Sequence, residues 1–306
     1  DRLAVARRII VKVGSALLVD SDTGAVRTDW LANLVAGLAT LKREGKDIVL
    51  VSSGAIAPGR RTLQLKPGIL RLEESQAAAA VGQVKLAQTY VDALHRHGLV
   101  AAQILLTLED TEDRRRYLNA RETLQTLLKL NAVPVINEND TVATGEIRFG
   151  DNDRLSARVA SMVDADCLVL LSDIDGLYTA NPRRDASARH IAEVRAITPE
   201  IEAMAEGPVS GVSKGGMESK IVAAKIATAA GAGVVIASGY VADPLSNNSS
   251  PITYFAPSLS PALARKRWLA GNLKANGEIT IDAGAERALR SGKSLLPAGV
   301  KKIEGR

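Results

Sequence analysis

One cysteine, three histidines and no apolar run of membrane-spanning length limit what this 306-residue sequence can be. A single Cys167 excludes an internal disulfide framework, and its place in CLVLLSD makes it a small core hydrophobe rather than a catalytic thiol. No Cys and His set has zinc spacing; His95 and His97 stand near a helix end before Gly98, and His190 lies in a loop-like segment. No stretch reaches the roughly 18 uninterrupted apolar residues of a membrane span, and the opening DRLAVARR lacks a signal peptide's apolar run. The chain therefore reads as cytoplasmic, with no membrane contact. It starts at Asp1 rather than Met, so its native beginning is expected to lie upstream, and its terminal IEGR is either native or appended.

Three phosphate- and metal-binding signatures are also missing. There is no G-x-x-x-x-G-K-[ST] loop and no G-x-G-x-x-G after a strand, which disfavours a P-loop and a dinucleotide site. No acidic cluster has the ligand spacing of an EF-hand loop.

What is present is the composition of a globular protein, 46% hydrophobic and 24% charged, long enough for one main domain and an appendage. The net charge of +5 invites a nucleic-acid reading, but its distribution is lopsided. From Arg265 onward ten Lys and Arg face four acids, giving +6, whereas residues 1–264 carry −1. The basic excess belongs to the tail.

Strand-like runs recur at 8–13, 47–53, 100–107, 132–137, 167–173 and 233–238 with helical segments between them, which predicts a mostly parallel sheet. Several runs are apolar without period-two alternation, as expected when helices cover both faces. The fold class is thus an α/β, three-layer α/β/α sandwich. Thr28 is expected to cap the helix DWLANLVAGLATLKRE, with Gly45 just past its end. After about residue 258 the pattern changes: SLSPALARKRW is followed by LKANGEITID, a short helical stretch AGAERALRSG and SLLPAGV, which reads as a linker opening a second unit whose roughly 35 residues are too few for an independent core. The polar SNNSS at 246–250 reads as a flexible loop.

Ligands of open α/β sheets sit beyond the carboxyl ends of the strands, so the polar clusters there carry the chemistry. The first strand ends in Lys12, Val13, Gly14 and Ser15; alone, that lysine is more often a solvated edge residue. The second ends in Ser52, Ser53, Gly54, Ala55 and Ile56, a small-residue turn that suits an anion or is simply a tight strand-to-helix turn. The fourth ends in Asn137, Glu138, Asn139 and Asp140, followed by Arg148, Phe149, Gly150, Asp151, Asn152 and Asp153. Asn and Asp favour turns, yet two such clusters around one excursion after a buried strand exceed what turns require. The fifth ends in Ser172 and Asp173. Later come Ser213, Lys214, Gly215, Gly216, Met217, Glu218, Ser219 and Lys220, opening a helix with Met217, Ile221 and Ala224 on one face. Glycines ahead of a helix bearing Lys220 suit phosphate oxygens.

The ordered motifs VKVGS, VSSGAIAPG, AAVGQ, LNARETL, VPVINENDTVAT, GDNDRLSA, LLSDIDGLYTANP and GGMESK make the chain resemble the glutamate 5-kinase branch of the amino acid kinase family over nearly its whole length. INEND followed by GDND separates this branch from the carbamate, aspartate, uridylate and acetylglutamate kinases. The segment RKRW through SLLPAG resembles the linker and opening of a PUA domain, most of which is missing. The expected domains are residues 1–258 for the kinase and 259–306 for linker and incomplete PUA-like unit.

The resemblance implies an N-terminal half that holds L-glutamate and a C-terminal half that holds ATP. By matching positions, Lys12 contacts ATP phosphates, and Ser53, Asp140 and Asn152 bind glutamate with Gly54, Ala55 and Asn137 close by. Ser172 and Asp173, with Lys214, Gly215, Gly216, Met217, Glu218, Ser219 and Lys220, form the nucleotide side. Asp153 orients the lysines, and Arg148 is a basic residue near the active site, completing the expected catalytic set of Lys12, Lys220, Asp153 and Arg148. One departure stands out: the family usually has Thr or Ser before the two glycines, where this sequence has Lys214, a long cation that either adds a phosphate contact or crowds the nucleotide. The cofactors implied are ATP and Mg2+, with no direct protein ligand assigned to the metal. The implied setting is proline biosynthesis, with proline as feedback inhibitor, a glutamyl phosphate reductase as partner and a homo-oligomeric assembly. Two other classes compete: an RNA-binding protein acting through the basic tail, and a nucleotide-binding regulator without catalysis, for which Lys214 is the only hint.

Overall fold

A computed structural model of the chain describes residues 2–20, 23–66, 68–142, 152–182, 184–205, 216–245, 251–258, 277–291 and 293–305. Outside them lie the predicted SNNSS loop, most of the linker, and the candidate site residues Arg148, Lys214 and Gly215. The elements run α1 (Arg2–Val5), β1 (Arg8–Val13), α2 (Ser15–Leu18), α3 (Thr28–Arg43), β2 (Asp47–Ser52), α4 (Ile56–Thr62), α5 (Leu72–His95) and β3 (Ala101–Leu106). They continue with α6 (Leu108–Glu112), α7 (Arg114–Lys129), β4 (Val133–Glu138), α8 (Asn152–Met162), β5 (Cys167–Ser172), β6 (Leu177–Tyr178), β7 (His190–Ile191) and β8 (Glu193–Val194). Then come α9 (Pro199–Ala205), α10 (Met217–Ala229), β9 (Gly233–Ser238), β10 (Ile252–Phe255), β11 (Gly277–Ile281), α11 (Ala283–Arg290) and β12 (Val300–Gly305).

The chain divides into two compact units between Ala264 and Arg265. The first is built on an eight-stranded sheet in the order β3-β4-β2-β1-β5-β9-β10-β8, parallel except where β10 runs against β9. Because β1 lies at the centre, between β2 and β5, its apolar residues are covered on both faces. Ile9, Val11 and Val13 join Ile48, Leu50, Cys167 and Val169 in one core with α3 and α5. The alternate residues Ile10, Val49, Leu168 and Leu170 are equally buried on the opposite face, where α8 packs across the central strands and against α10. Both faces are buried, so the continuous apolar runs of the sequence become a three-layer sandwich.

Six of the expected strands are present, with ends within a residue or so of the sequence reading. Two local expectations are corrected. Thr28 is the first residue of α3 rather than its cap; Arg27 holds the cap position without a side-chain bond, and Asp29 supplies the favourable acid of the first turn. His190 belongs to β7, paired with Tyr178 of β6, rather than to a loop. The pair is short, and a two-residue ladder leaves no periodicity to detect. Gly45 does end α3, with φ of +80°. Cys167 is buried, and burial pushes its thiol up to about 12, so it is a core residue and no nucleophile.

The second unit pairs β11 with β12 antiparallel. Its helix α11 is capped by Asp282, whose carboxylate accepts from the Ala285 N–H at 2.7 Å.

Helices α4 and α5 pack at backbone distance. A Cβ on Gly82 would overlap the carbonyl oxygen of Ala55, and one on Gly59 would overlap that of Ala78. These glycines let α5 meet the turn that follows β2 at backbone distance. Gly82→Ala is therefore expected to destabilise the protein by about 1–3 kcal/mol, the usual cost of overpacking. The measurement is the urea midpoint at unchanged m-value; an unchanged midpoint would mean that the two helices can separate freely.

Candidate active site

Lys12 is the penultimate residue of β1 and pairs in register with Val51 on one side and Leu170 on the other. It shares its face of the sheet with Ile10, so its side chain rises toward α8 rather than into solvent. Only 7% of it is exposed. A buried ammonium requires a counter-charge, and Asp153, the second residue of α8, supplies it: Lys12 Nζ lies 2.6 Å from Asp153 Oδ1. The other carboxylate oxygen accepts from Lys220 Nζ at 3.2 Å. Lys220 stands in the first turn of α10, with 2% of its surface exposed, and Asp153 is only 1% exposed. Two lysines 208 positions apart in the sequence numbering thus share one carboxylate.

The charges of this triad are set by competition. Burial alone would raise the Asp153 carboxyl, but the charges of Lys12 and Lys220 and their hydrogen bonds hold it below the usual carboxylate range. Lys220 is lowered, first by its own burial and further by the charge of Lys12, against the opposing pull of Asp153 and Asp173. Asp153 also sits in the first turn of α8, where a negative charge is favoured by the helix dipole.

A second network starts one residue earlier. Asn152 Nδ2 donates to Ser53 Oγ at 2.9 Å and to Asn137 Oδ1 at 3.2 Å. Asn137 Nδ2 in turn donates to Gln83 Oε1 at 2.7 Å, and its Oδ1 also accepts from the Glu138 N–H at 2.9 Å. Asn137 and Asn152 are each 2% exposed. The side-chain oxygen Oδ1 of Asn152 is buried and has no hydrogen-bond partner within the protein. A buried acceptor without a donor is costly unless a ligand completes it. Gly54, beside Ser53, has φ of +98° and a Cβ there would press on Val19, so the turn after β2 depends on glycine. Ala55 and Asp140 are buried at the same strand ends.

On the other side of Lys12, the Ser172 hydroxyl at the end of β5 donates to Asp173 Oδ1 at 2.9 Å. Gly216 caps α10 with extended backbone, ahead of Met217, Glu218 and Ser219. The structure therefore brings together Lys12, Asp153 and Lys220 as one cluster and Ser53, Asn137 and Asn152 as another, joined through the peptide bond between residues 152 and 153.

Two contributors were not singled out from sequence. Gln83 lies within the AAVGQ motif, and Tyr90, one heptad further along α5, places its hydroxyl 2.9 Å from Ser52 Oγ. A polar residue directly after a packing glycine was the available signal for Gln83. Tyr90 had none, because a tyrosine among apolar helix residues reads as core.

A parallel sheet whose central lysine is held by acidic and basic helix termini defines the class: the chain belongs to the amino acid kinase family, whose sequence model matches residues 7–238, while a PUA domain model matches residues 277–306. Within that class the similarity is to glutamate 5-kinases. The chain is 60% identical to the glutamate 5-kinase of Agrobacterium fabrum, over 99% of this chain and 78% of the relative. It is also 60% identical to that of Rhodopseudomonas palustris strain BisB5, over 98% and 80% of the two chains. The solved carbamate kinase of Giardia lamblia bound to AMP-PNP matches with a TM-score of 0.58, covering 83% of this chain and 100% of that one; at 15% identity this likeness concerns the fold alone.

The buried triad makes a pH-dependent contribution to stability. A depressed carboxyl stabilises the fold fully above its unfolded pKa of about 3.9 and loses that contribution as pH falls through the lower folded value. Asp153→Asn leaves two buried ammonium groups without their shared counter-charge and is expected to cost on the order of 3 kcal/mol at pH 7. The gap to wild type should close as pH drops below about 3.9. Urea midpoints measured across pH 2–7 check this, and a gap independent of pH would refute it.

Proposed function

We propose that this chain transfers the terminal phosphoryl group of ATP to the side-chain carboxylate of L-glutamate, giving L-glutamyl 5-phosphate. The observation that carries the reading is the joining of the Lys12–Asp153–Lys220 cluster, suited to phosphate, to the Ser53–Asn137–Asn152 cluster, suited to a small polar substrate, through adjacent residues of α8. Identity of 60% to glutamate 5-kinases across nearly the whole chain supports the choice of substrate.

The chemistry agrees. A side-chain carboxyl of pKa about 4.3 is ionised at pH 7 and attacks phosphorus without a general base. What the reaction needs is in-line positioning of two anions and neutralisation of charge that spreads over the transferred oxygens. Lys12 and Lys220 supply positive charge from two elements, and Asp153 holds both ammonium groups in place. Ser53, Asn137, Asp140 and Asn152, with Gly54 and Ala55, form the glutamate side. Asn152 Oδ1 is the acceptor for the substrate's α-ammonium group. Ser172, Asp173 and the segment 214–220 form the nucleotide side, and Arg148 lies in the segment between the two clusters of the glutamate half.

Among the described residues no group of three or more His, Cys, Asp or Glu side chains could hold a metal ion. In this reading magnesium is carried on the ATP phosphates, where it neutralises charge and orients the triphosphate. The kinase domain is residues 1–258, within the first compact unit that runs to Ala264, and the tail, 259–306, carries none of these groups. The product is an acyl phosphate, reactive toward water and its own amine, which favours rapid consumption by a glutamyl phosphate reductase. Proline, as the end of that route, is the feedback inhibitor, acting near the glutamate side of a homo-oligomeric enzyme. The +6 charge of the tail and its match to a PUA domain favour RNA as a second ligand of that unit alone.

A hydroxamate assay with magnesium ATP tests the substrate. Glutamate should be turned over, and acetylglutamate, aspartate and carbamate poorly or not at all; equal rates with acetylglutamate would place the chain in another branch. Lys12→Ala and Lys220→Ala should each lower kcat by on the order of 100-fold to 1000-fold, the usual cost of removing a preorganised donor from a developing anion. The KM for glutamate should move far less. Near-normal turnover in Lys220→Ala would show that α10 only packs against α8.

A further inference from the structure

The side chains between α5 and the substrate cluster form a directed chain of amides. Each link is an N–H donating toward α5: Asn152 to Asn137, then Asn137 to Gln83. The direction matters because an amide can be reversed. Were Asn137 turned, its nitrogen would face both the Glu138 N–H and Asn152 Nδ2, donor against donor. As it stands, Asn137 Oδ1 accepts from both, and its own nitrogen is directed at Gln83 Oε1. Asn152 must then give its amide hydrogens to Asn137 and Ser53, and its side-chain oxygen Oδ1 is left without a hydrogen-bond partner in the protein.

We infer that Gln83 is a positioning residue for substrate selection: its carbonyl oxygen orients Asn137, and through it Asn152, so that the site presents an acceptor to a cationic donor, the α-ammonium of the substrate. The inference rests on the glutamate reading and deepens it. It assigns the preference for a free amine to a residue outside the cluster that touches substrate. Gln83 is well placed for the task. Gly82 beside it seats α5 at backbone distance from the turn after β2, and Tyr90 ties the same helix face to Ser52. A cavity of about 20 Å³ adjoins Gln83, Tyr90 and Asn137. It is large enough for one water. Truncation at residue 83 would therefore admit a water able to replace the lost acceptor, whereas an apolar side chain of similar volume fills the space.

The test compares glutamate with glutarate, which has the same two carboxylates but no ammonium group. Affinities are measured by calorimetry in wild type, Gln83→Leu, Gln83→Met and Gln83→Glu, with turnover of glutamate recorded alongside and folding checked by urea midpoint. Gln83→Leu and Gln83→Met should each weaken glutamate binding about tenfold, the scale of one lost hydrogen bond. Glutarate binding and the KM for ATP should stay within about threefold, so the glutamate-to-glutarate preference collapses. Gln83→Glu keeps the oxygen acceptor. Its added charge repels the carboxylates of both ligands and attracts the ammonium that only glutamate carries, so the preference should be retained or enlarged. Parallel weakening of glutamate and glutarate would reduce Gln83 to a structural role and overturn the inference, as would loss of the preference in Gln83→Glu. Wild-type protein that binds but does not phosphorylate glutamate would defeat the kinase reading and leave the relay to be judged by the binding ratios. An unchanged ratio in an active wild-type background would defeat the relay alone.

Discussion

A carboxylate buried beneath two ammonium groups is the interaction on which this molecule turns. Asp153 is almost wholly inaccessible, and so are Lys12 and Lys220. None of the three would stay charged in that place alone, because removing an ion from water is opposed by far more than ordinary packing supplies. Held together they carry one net positive charge at the carboxyl edge of a parallel sheet. The arrangement is of limited value to stability and of high value to chemistry: an anionic ligand arriving between the lysines meets cations already oriented, with little reorganisation left to do.

Everything around the triad serves its placement. Lys12 comes from a central strand of the eight-stranded sheet, hydrogen-bonded on both sides. Asp153 and Lys220 come from α8 and α10, which pack on each other and over the same face. Asn152 precedes Asp153, so whatever α8 does to one cluster it does to the other. In the proposed reading the spacing of substrate and phosphate is thus set by a single peptide unit rather than by two independent loops. On the opposite face, α5 reaches the ends of β2 and β4 through Tyr90 and Gln83. It can do so only because Gly59 and Gly82 let two helices approach at backbone distance.

Much of this was legible in the residues themselves. Apolar runs without alternation announced a sheet covered on both faces, and six strand positions follow from them with errors of about one residue. Asn137, Asn152 and Asp153 could be marked as candidates because two Asn and Asp clusters around one excursion exceed what turns require, whereas Lys12 took its role from the family resemblance. The two-residue strands β6, β7 and β8 left no pattern to find, and β10 lacked the punctuation of the main strands. The cap of α3 was misplaced by a residue because helix ends depend on local hydrogen bonds that a hydroxyl near the boundary does not guarantee.

The sequence by itself determined the layer architecture, the uneven placement of charge, and the family to which its ordered motifs point. Each of these depends on near neighbours or on composition: side-chain period, turn chemistry, and counts of Lys, Arg, Asp and Glu. Only the tertiary structure decided that Lys12 and Lys220 meet on the same carboxylate, that the Asn152 amide is directed, and that Gln83 stands behind it. Those facts depend on which helices cover which face and how closely they approach. The energetic consequences of burial and of hydrogen-bond direction exist only once residues distant in the chain have been brought within a few ångströms of each other.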